Sequence, residues 1–474
     1  ILGLPAPEIQ EARERIMAAF QGAELEFPKK KVIINLSPSS VRKSGTGHDL
    51  PIAIKIISET TDLDWPERIL AWGELALSGN IKPVGRMAAL LELLVMNLEK
   101  RKPDLLILSS RDASQLQELL NWRAKQALSV PEETLFLIVD HLKDLNTGIR
   151  PSPLKPKPWT DKNNAQVSTN ELLPLASSTE RILKISLIGK HHVLFLGPKG
   201  VGKSESLHWF KTLSPPAKPK QIWERILNSE SREMPLAFST PVRQVHAQVR
   251  PAHLLGSFGA RGYQAGELAL AHGGLFIADE FMEWPRDAKE CLREPLQNRR
   301  LTLSRVKGSV EAPCDFQFIA TGNLCPCGGL PSPFRAHDSS KRYSCRCRAA
   351  EMQAYLHKLS GPILDRIDLT FILTETERKT KTFAPEVIQT EIQSARDFAL
   401  KNFGYLPAEL PTLWLEETLP KRESIQKLLS ELPSLRSRHK VLRVARSIQA
   451  LEKSADLEDV HVFEAKTYRL NQLQ

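Results

Sequence analysis

The sequence predicts an α/β protein: two α/β blocks in tandem, followed by a helical end. Three observations carry this. Between residues 175 and 384, short apolar runs that close on polar or glycine-rich turns ("HHVLFLG", "GGLFIAD", "FQFIATGN") alternate with helix-compatible stretches. That is the pattern of a mostly parallel sheet with ligands at the C-terminal ends of its strands. Residues 1–147 mix a helical pattern ("APEIQEARERIMAAF") with strand-like runs ("KVIINLS", "DLLILSS"), which marks a separate α/β domain. Residues 385–474 are helical, most clearly in "LRSRHKVLRVARSIQALEKS". Between the first two blocks, residues 148–174 are rich in proline, lysine and polar residues and read as an extended spacer.

Composition bounds the function. With 41% hydrophobic and 25% charged residues in 474, the chain has the makeup of a globular protein with real cores and is not disordered by default. No apolar run reaches the roughly 18 to 20 residues that cross a bilayer, and no basic segment followed by an apolar stretch opens the sequence. A cytoplasmic, membrane-free protein is expected. The sequence begins at Ile1 rather than Met, which leaves an upstream segment open. A net charge of +10 is mild, so its distribution decides whether nucleic acid is a partner.

In chain order, the first chemical element is "GPKGVGKS": Gly197, Pro198, Lys199, Gly200, Val201, Gly202, Lys203 and Ser204. It follows the apolar run "VLFL" and precedes the helix-compatible "ESLHWFKTL", the context that a phosphate loop requires. Its glycines let backbone N–H groups close around phosphate oxygens, Lys203 reaches the terminal phosphates, and Ser204 ligates magnesium. The run "GGLFIADE" then ends in Asp279 and Glu280, one acid for magnesium and its neighbour to polarise the attacking water. A third run ends in Asn323, whose amide is placed to orient that water.

The order of phosphate loop, acidic strand and strand-ending asparagine is that of the AAA+ ATPases. The stretches "GELALAHGGLFIADE", "LREPLQNRRLTLSR", "GNLCPCGG", "LSGPILDRIDL" and "SLRSRHKVLRVARSIQALE" together resemble the magnesium-chelatase-like AAA+ family, in its competence-related branch. The resemblance covers nearly the whole chain, because "APEIQEARERIMAAF", "FPKKKVIINLSPSSVRKSGTGHDLPIAI" and "GELALSGNIKPVG" look like that family's Lon-protease-like N-terminal domain. It departs from the family around residues 58–66, in the linker and at the usual N-terminal start. It implies ATP and Mg2+ as ligands and a hexameric ring. Arg366, in "LDRID", is similar to the arginine finger that reaches a neighbouring subunit's ATP. Arg436, in "SLRSR", is similar to the sensor-2 arginine of a helical lid over residues 385–474. Guanidinium groups suit both roles because they stabilise spread phosphoryl charge.

The same resemblance argues against proteolysis. Lon-type cleavage needs a serine nucleophile and a lysine base. Gly47 stands at the nucleophile position and Ala88 at the base position, and neither side chain can do the chemistry. Ser44 and Lys43 are near in sequence, but a one-residue slip would turn a strand side chain to the opposite face. An interaction or assembly role is expected instead.

Cysteines and cations remain. Cys325, Cys327, Cys345 and Cys347 form two C-x-C pairs within an insertion at about 325–347. In a reducing compartment they read as a structural four-thiolate zinc site, with His337 as a reserve ligand and paired redox thiols as the rival. The sheet is not expected to depend on this insertion. Arg335, Lys341, Arg342, Arg346 and Arg348 surround the pairs, with Phe334 and Tyr343 interleaved, a composition suited to phosphate contact and base stacking. "NRRLTLSRVKGSVEA" reads as a hairpin before the asparagine strand. In the AAA+ helicases that the chain resembles, such a hairpin points into the pore, which would bring Arg299, Arg300, Arg305 and Lys307 to DNA. The resemblance thus implies an ATP-driven, hexameric DNA motor, with helicase and branch-migration activity on single-stranded or branched DNA, serving integration of DNA in natural transformation and homologous recombination. The alternative is a chelatase- or chaperone-type machine that remodels a protein client.

Overall fold

The computed structural model describes residues 11–37, 47–61, 64–96, 103–131, 135–147, 150–158, 172–229, 238–259, 262–305, 308–329, 345–373 and 384–469. The chain divides into two compact units, one through Asn164 and one from Ala165.

The strands of the first unit are β1 (Ile69–Trp72), β2 (Glu74–Leu75), β3 (Ile81–Lys82), β4 (Leu105–Leu108), β5 (Leu135–Ile138) and β6 (Ser152–Pro153). β1, β4 and β5 pair in parallel, β6 closes the edge antiparallel to β5, and β2 and β3 make a small hairpin. The expected strand "DLLILSS" is β4, buried at every position. After it, Ser109 caps the helix Ser110–Lys125 by accepting from the Asp112 N–H at 3.2 Å, which satisfies an otherwise free helix-end donor. The linker prediction needs amending, because Ser152 and Pro153 join the sheet of this unit and Leu154 is buried. "KVIINLS" is not a strand: only Asn35 makes a bridge, Val32 and Ile33 are exposed, and Ile34 packs only partly against this unit's core. Ala88 lies buried on the helix Met87–Val95 and Gly47 is exposed with open space around it; Ser44 and Lys43 fall outside the described residues.

The second unit carries β7 (Val193–Leu196), β8 (Val242–Val245), β9 (Gly256–Gly259), β10 (Gly262–Ala265), β11 (Leu275–Ala278), β12 (Arg300–Arg305), β13 (Gly308–Pro313), β14 (Gln317–Gly322) and β15 (Leu369–Ile372). Five of them form one parallel sheet in the order β15-β7-β14-β11-β8. β7, β11 and β14 are buried throughout, as near-continuous apolar runs in a sheet covered on both faces must be. Side chains alternate between two cores. Val193, Phe195, Leu275, Ile277 and Ile319 pack with the C-terminal helices, while Leu194, Leu196, Phe276, Ala278, Phe318 and Ala320 pack on the other face. The expected helical end is present as Pro385–Phe403, Thr412–Glu417, Glu423–Ser430, Leu435–Glu452 and Asp459–Thr467. The predicted basic hairpin is β12 paired with β13; a shorter hairpin, β9 with β10, was not anticipated.

One buried polar knot ties the helical end to the sheet. Asp368 accepts from the His192 N–H at 3.0 Å and pairs with Lys440 at 3.1 Å, and Lys440 also donates to the Ile367 carbonyl at 3.1 Å. Burial opposes the charge on Asp368, but Lys440 and the two histidines beside it hold its carboxyl well below the usual range.

Candidate nucleotide site and cysteine cluster

Three neighbouring strands deliver the predicted residues to one place. β7 ends at Leu196, and the Gly197 N–H donates to the Gly322 carbonyl at 3.2 Å, fastening the turn to β14. Gly200 and Gly202 take φ of 81° and 99°, left-handed conformations that side chains avoid, and a Cβ on either would meet nothing within 4 Å. The loop is therefore bent by glycine, with open space where side chains at these two positions would stand. Lys203 begins the helix Lys203–Leu213. Its ammonium donates to the carbonyls of Gly197 and Pro198, both at 2.8 Å, and to Asn323 Oδ1 at 3.0 Å. Burial lowers its pKa to about 8, against the opposing pull of Asp279 and Glu280. Ser204 lies exposed one residue into the helix. A cation folded back on the loop's own carbonyls fits a site built for a phosphate chain.

Asp279 and Glu280 leave the end of β11. The Thr321 hydroxyl donates to Asp279 Oδ1 at 2.6 Å and accepts the Glu280 N–H at 3.1 Å, so one side chain of β14 orients both acids. Glu280 adopts a left-handed φ of 49°, unusual for a non-glycine residue, and projects into solvent. His246 Nδ1 lies 3.6 Å from Asp279 Oδ2, and Gln244 donates to the same oxygen at 3.5 Å. Sequence reasoning missed Thr321, Gln244 and His246. The signal for Thr321 was its place two residues before Asn323, on the same face of the strand register.

The cysteines also converge. Cys325, Cys327, Cys345 and Cys347 offer four sulfurs, all within 4.8 Å of one another. Cys325–Cys327, Cys325–Cys345 and Cys327–Cys345 sulfur separations are 3.4, 3.6 and 3.7 Å. Thiolates at ~2.3 Å from a tetrahedral zinc stand about 3.8 Å apart, so the donor set fits that ion. His337 lies outside the described residues, as do Phe334, Arg335, Lys341, Arg342 and Tyr343; Arg346 and Arg348 are described and exposed.

Comparison with known proteins agrees with this geometry. Family profiles described as magnesium chelatase, subunit ChlI, match residues 175–381 and 1–109, and the profile for the ChlI C-terminal region matches 384–469. The chain belongs to the magnesium-chelatase-like AAA+ family. Among its curated relatives, competence protein ComM of Haemophilus influenzae is 27% identical over 496 residues, covering 99% of this chain and 91% of ComM. The uncharacterized protein YifB of Escherichia coli is 27% identical over 499 residues with the same coverage. The uncharacterized protein Rv2897c of Mycobacterium tuberculosis is 28% identical over 386 residues, 78% of this chain and 70% of that protein. Membership in this family implies ATP and Mg2+ as ligands.

The remaining calls lie elsewhere on this family's fold. Arg366 precedes β15, where the Asp368 and Leu369 N–H groups both donate to the His192 carbonyl at 3.0 Å, at the start of β7. The phosphate loop leaves the other end of β7, roughly 16 Å away at strand rise. Arg366 donates to the carbonyls of Arg293 at 2.9 Å and Pro362 at 2.6 Å and to the Gln297 side chain. Burial and the charges of Arg436 and Arg293 lower its pKa. Arg436 is exposed in the first turn of Leu435–Glu452, one turn before Lys440, whose ammonium donates to the Ile367 carbonyl next to Arg366.

Of the hairpin cations, Arg299 pairs with Glu409 at 2.9 Å and Arg300 with Glu311, while Arg305 is exposed and Lys307 lies outside the described residues. The two hairpins adjoin: a Cβ on Gly308 would lie 3.4 Å from the Phe258 ring of β9. Beside them is a groove of about 750 Å³ lined in part by Arg250, Ser257, Phe258 and Arg305.

Proposed function

We propose that this chain is an ATP hydrolase that drives a motor on DNA, with helicase and branch-migration activity in the integration of DNA during natural transformation and homologous recombination. The observation that carries the ATP reading is the bond between Lys203 and Asn323, which joins the phosphate loop to the water-orienting residue. ATP with Mg2+ supplies the phosphoryl group and the charge neutralisation; Gly197 to Ser204 and Asp279 would hold them. Lys203 turns from the loop carbonyls to the terminal phosphates, Glu280 takes up the proton of the attacking water, and Asn323 orients that water. Arg366 acts as the arginine finger on a neighbour's nucleotide within a hexameric ring, a reading supported by its place at the start of β7, away from the phosphate loop of its own chain, and Arg436 acts as the sensor-2 arginine of the helical lid.

The DNA reading is supported by similarity to a protein named for competence and by the basic hairpin. Arg305, Lys307, Arg342, Arg346 and Arg348 supply backbone contacts, and Arg299 and Arg300 join them by exchanging their acidic partners for phosphate. The first unit, lacking a nucleophile and base at Gly47 and Ala88, is a Lon-like assembly module without protease activity. The test is ATP turnover with single-stranded, duplex and branched DNA. Stimulation by DNA supports the reading. Turnover indifferent to every DNA but raised by a protein client supports the remodelling alternative.

A further inference from the structure

The cysteine turn is not a separate appendage. Residues 323–329 touch both limbs of the phosphate loop: Asn323 accepts from Lys203 at 3.0 Å, and the Gly328 carbonyl accepts the Lys199 N–H at 3.0 Å. Gly328 is buried, takes a left-handed φ of 72°, and donates its own N–H to the Cys325 carbonyl at 3.1 Å. A Cβ there would lie 2.8 Å from two carbons of the Lys199 side chain, so glycine permits the close approach. The next residue, Gly329, donates its N–H to Cys327 Sγ at 3.4 Å. Ligand cysteines thus flank the residue that fastens the loop. The sheet is not expected to depend on this insertion; the phosphate loop, by contrast, is in direct contact with it.

We propose that the four-cysteine site is a positioning element of the nucleotide site: zinc on Cys325, Cys327, Cys345 and Cys347 fixes the turn whose Gly328 carbonyl holds Lys199, and metal and nucleotide therefore bind with positive coupling. The proposal rests on the ATP reading of the phosphate loop and goes beyond it. With zinc bound, the turn has one shape and the first bend of the loop is preformed. With zinc removed, only weak hydrogen bonds among the thiols remain to constrain residues 325–329, and the loop must be ordered at the expense of nucleotide affinity. Coupling is reciprocal, so nucleotide must tighten zinc binding by the same factor.

The experiment uses the full chain. Zinc content is measured, zinc is stripped with a chelator, and the dissociation constant of a fluorescent non-hydrolysable ATP analogue with Mg2+ is compared before stripping, after stripping and after zinc is restored. Stripped protein is expected to bind at least ~5-fold more weakly, the low end of ordinary coupling, with recovery on adding zinc. Gly328→Ala keeps the cysteines and is expected to retain its zinc while losing nucleotide affinity. At equilibrium with a chelating dye, more zinc is expected to stay on the wild-type protein when the analogue is present, and no more on Lys203→Ala, which lacks the phosphate-binding cation. Equal affinity with and without zinc, or a zinc partition indifferent to the analogue, overturns the coupling alone. Protein that carries zinc yet binds no nucleotide overturns the ATP-site reading itself, and wild-type protein with no zinc overturns the metal.

Discussion

Lys203 is the residue whose chemistry is most exposed to measurement. Its pKa of about 8 in the free protein, lowered chiefly by burial, means that it is charged below that pH and neutral above it. A phosphate chain favours the charged form, so binding above pH 8 requires proton uptake. The dissociation constant for Mg-nucleotide is expected to stay level below about pH 8 and to rise toward tenfold per pH unit above it. Lys203→Arg, charged throughout, should abolish that bend; a level wild-type profile through about pH 9.5 contradicts the assignment. At the acids, Thr321→Val removes the hydroxyl that bridges Asp279 and the Glu280 N–H, and Glu280→Gln removes the proton acceptor. Steady-state kinetics should show kcat down by ~10- to 100-fold for Thr321→Val, with nucleotide affinity within about twofold, the signature of an interaction used in the transition state. Glu280→Gln should bind ATP and turn it over still more slowly.

At the scale of elements, the parts written in contiguous residues were legible. "VLFLGPKGVGKS", "LFIADE" and "FQFIATGN" became β7, β11 and β14 with their functional ends, because apolar run, turn and motif are local. What could not be read was pairing across the sheet. The Thr321–Asp279 bond spans neighbouring strands, the fastening of Lys199 to Gly328 joins distant turns, and the strands of the β9–β10 hairpin (GSFG and GYQA) are short, interrupted by glycine and without clear periodicity. "KVIINLS" misled because β propensity depends on finding a sheet face to cover. The remote end of the sheet yields a prediction in trans. Arg366→Ala should bind ATP yet hydrolyse it poorly, and mixing it with Lys203→Ala chains should restore activity where an intact loop meets an intact arginine. Confirmed mixed assembly without rescue contradicts a role for Arg366 across subunits. For the hairpin, Arg305→Ala should weaken DNA binding and reduce the salt slope by about one, as expected for one lost phosphate contact.

At the scale of the molecule, one sheet carries the phosphate loop at the C-terminal end of β7 and Arg366 beyond its start. Unlike surfaces at opposite ends join head to tail, and such contacts close into a ring when the rotation permits. Hydrolysis then depends on assembly, and specific ATPase activity should rise with protein concentration until the proposed hexamer is populated, a trend followed by turnover and light scattering together. Direct observation of branch movement tests the central claim most plainly. A fluorescently labelled branched DNA is mixed with the full chain, ATP and Mg2+, and resolution of the junction is followed in real time. The account predicts movement that requires ATP and is absent with Glu280→Gln; a junction that stays in place while wild-type protein hydrolyses ATP on it would contradict a DNA motor.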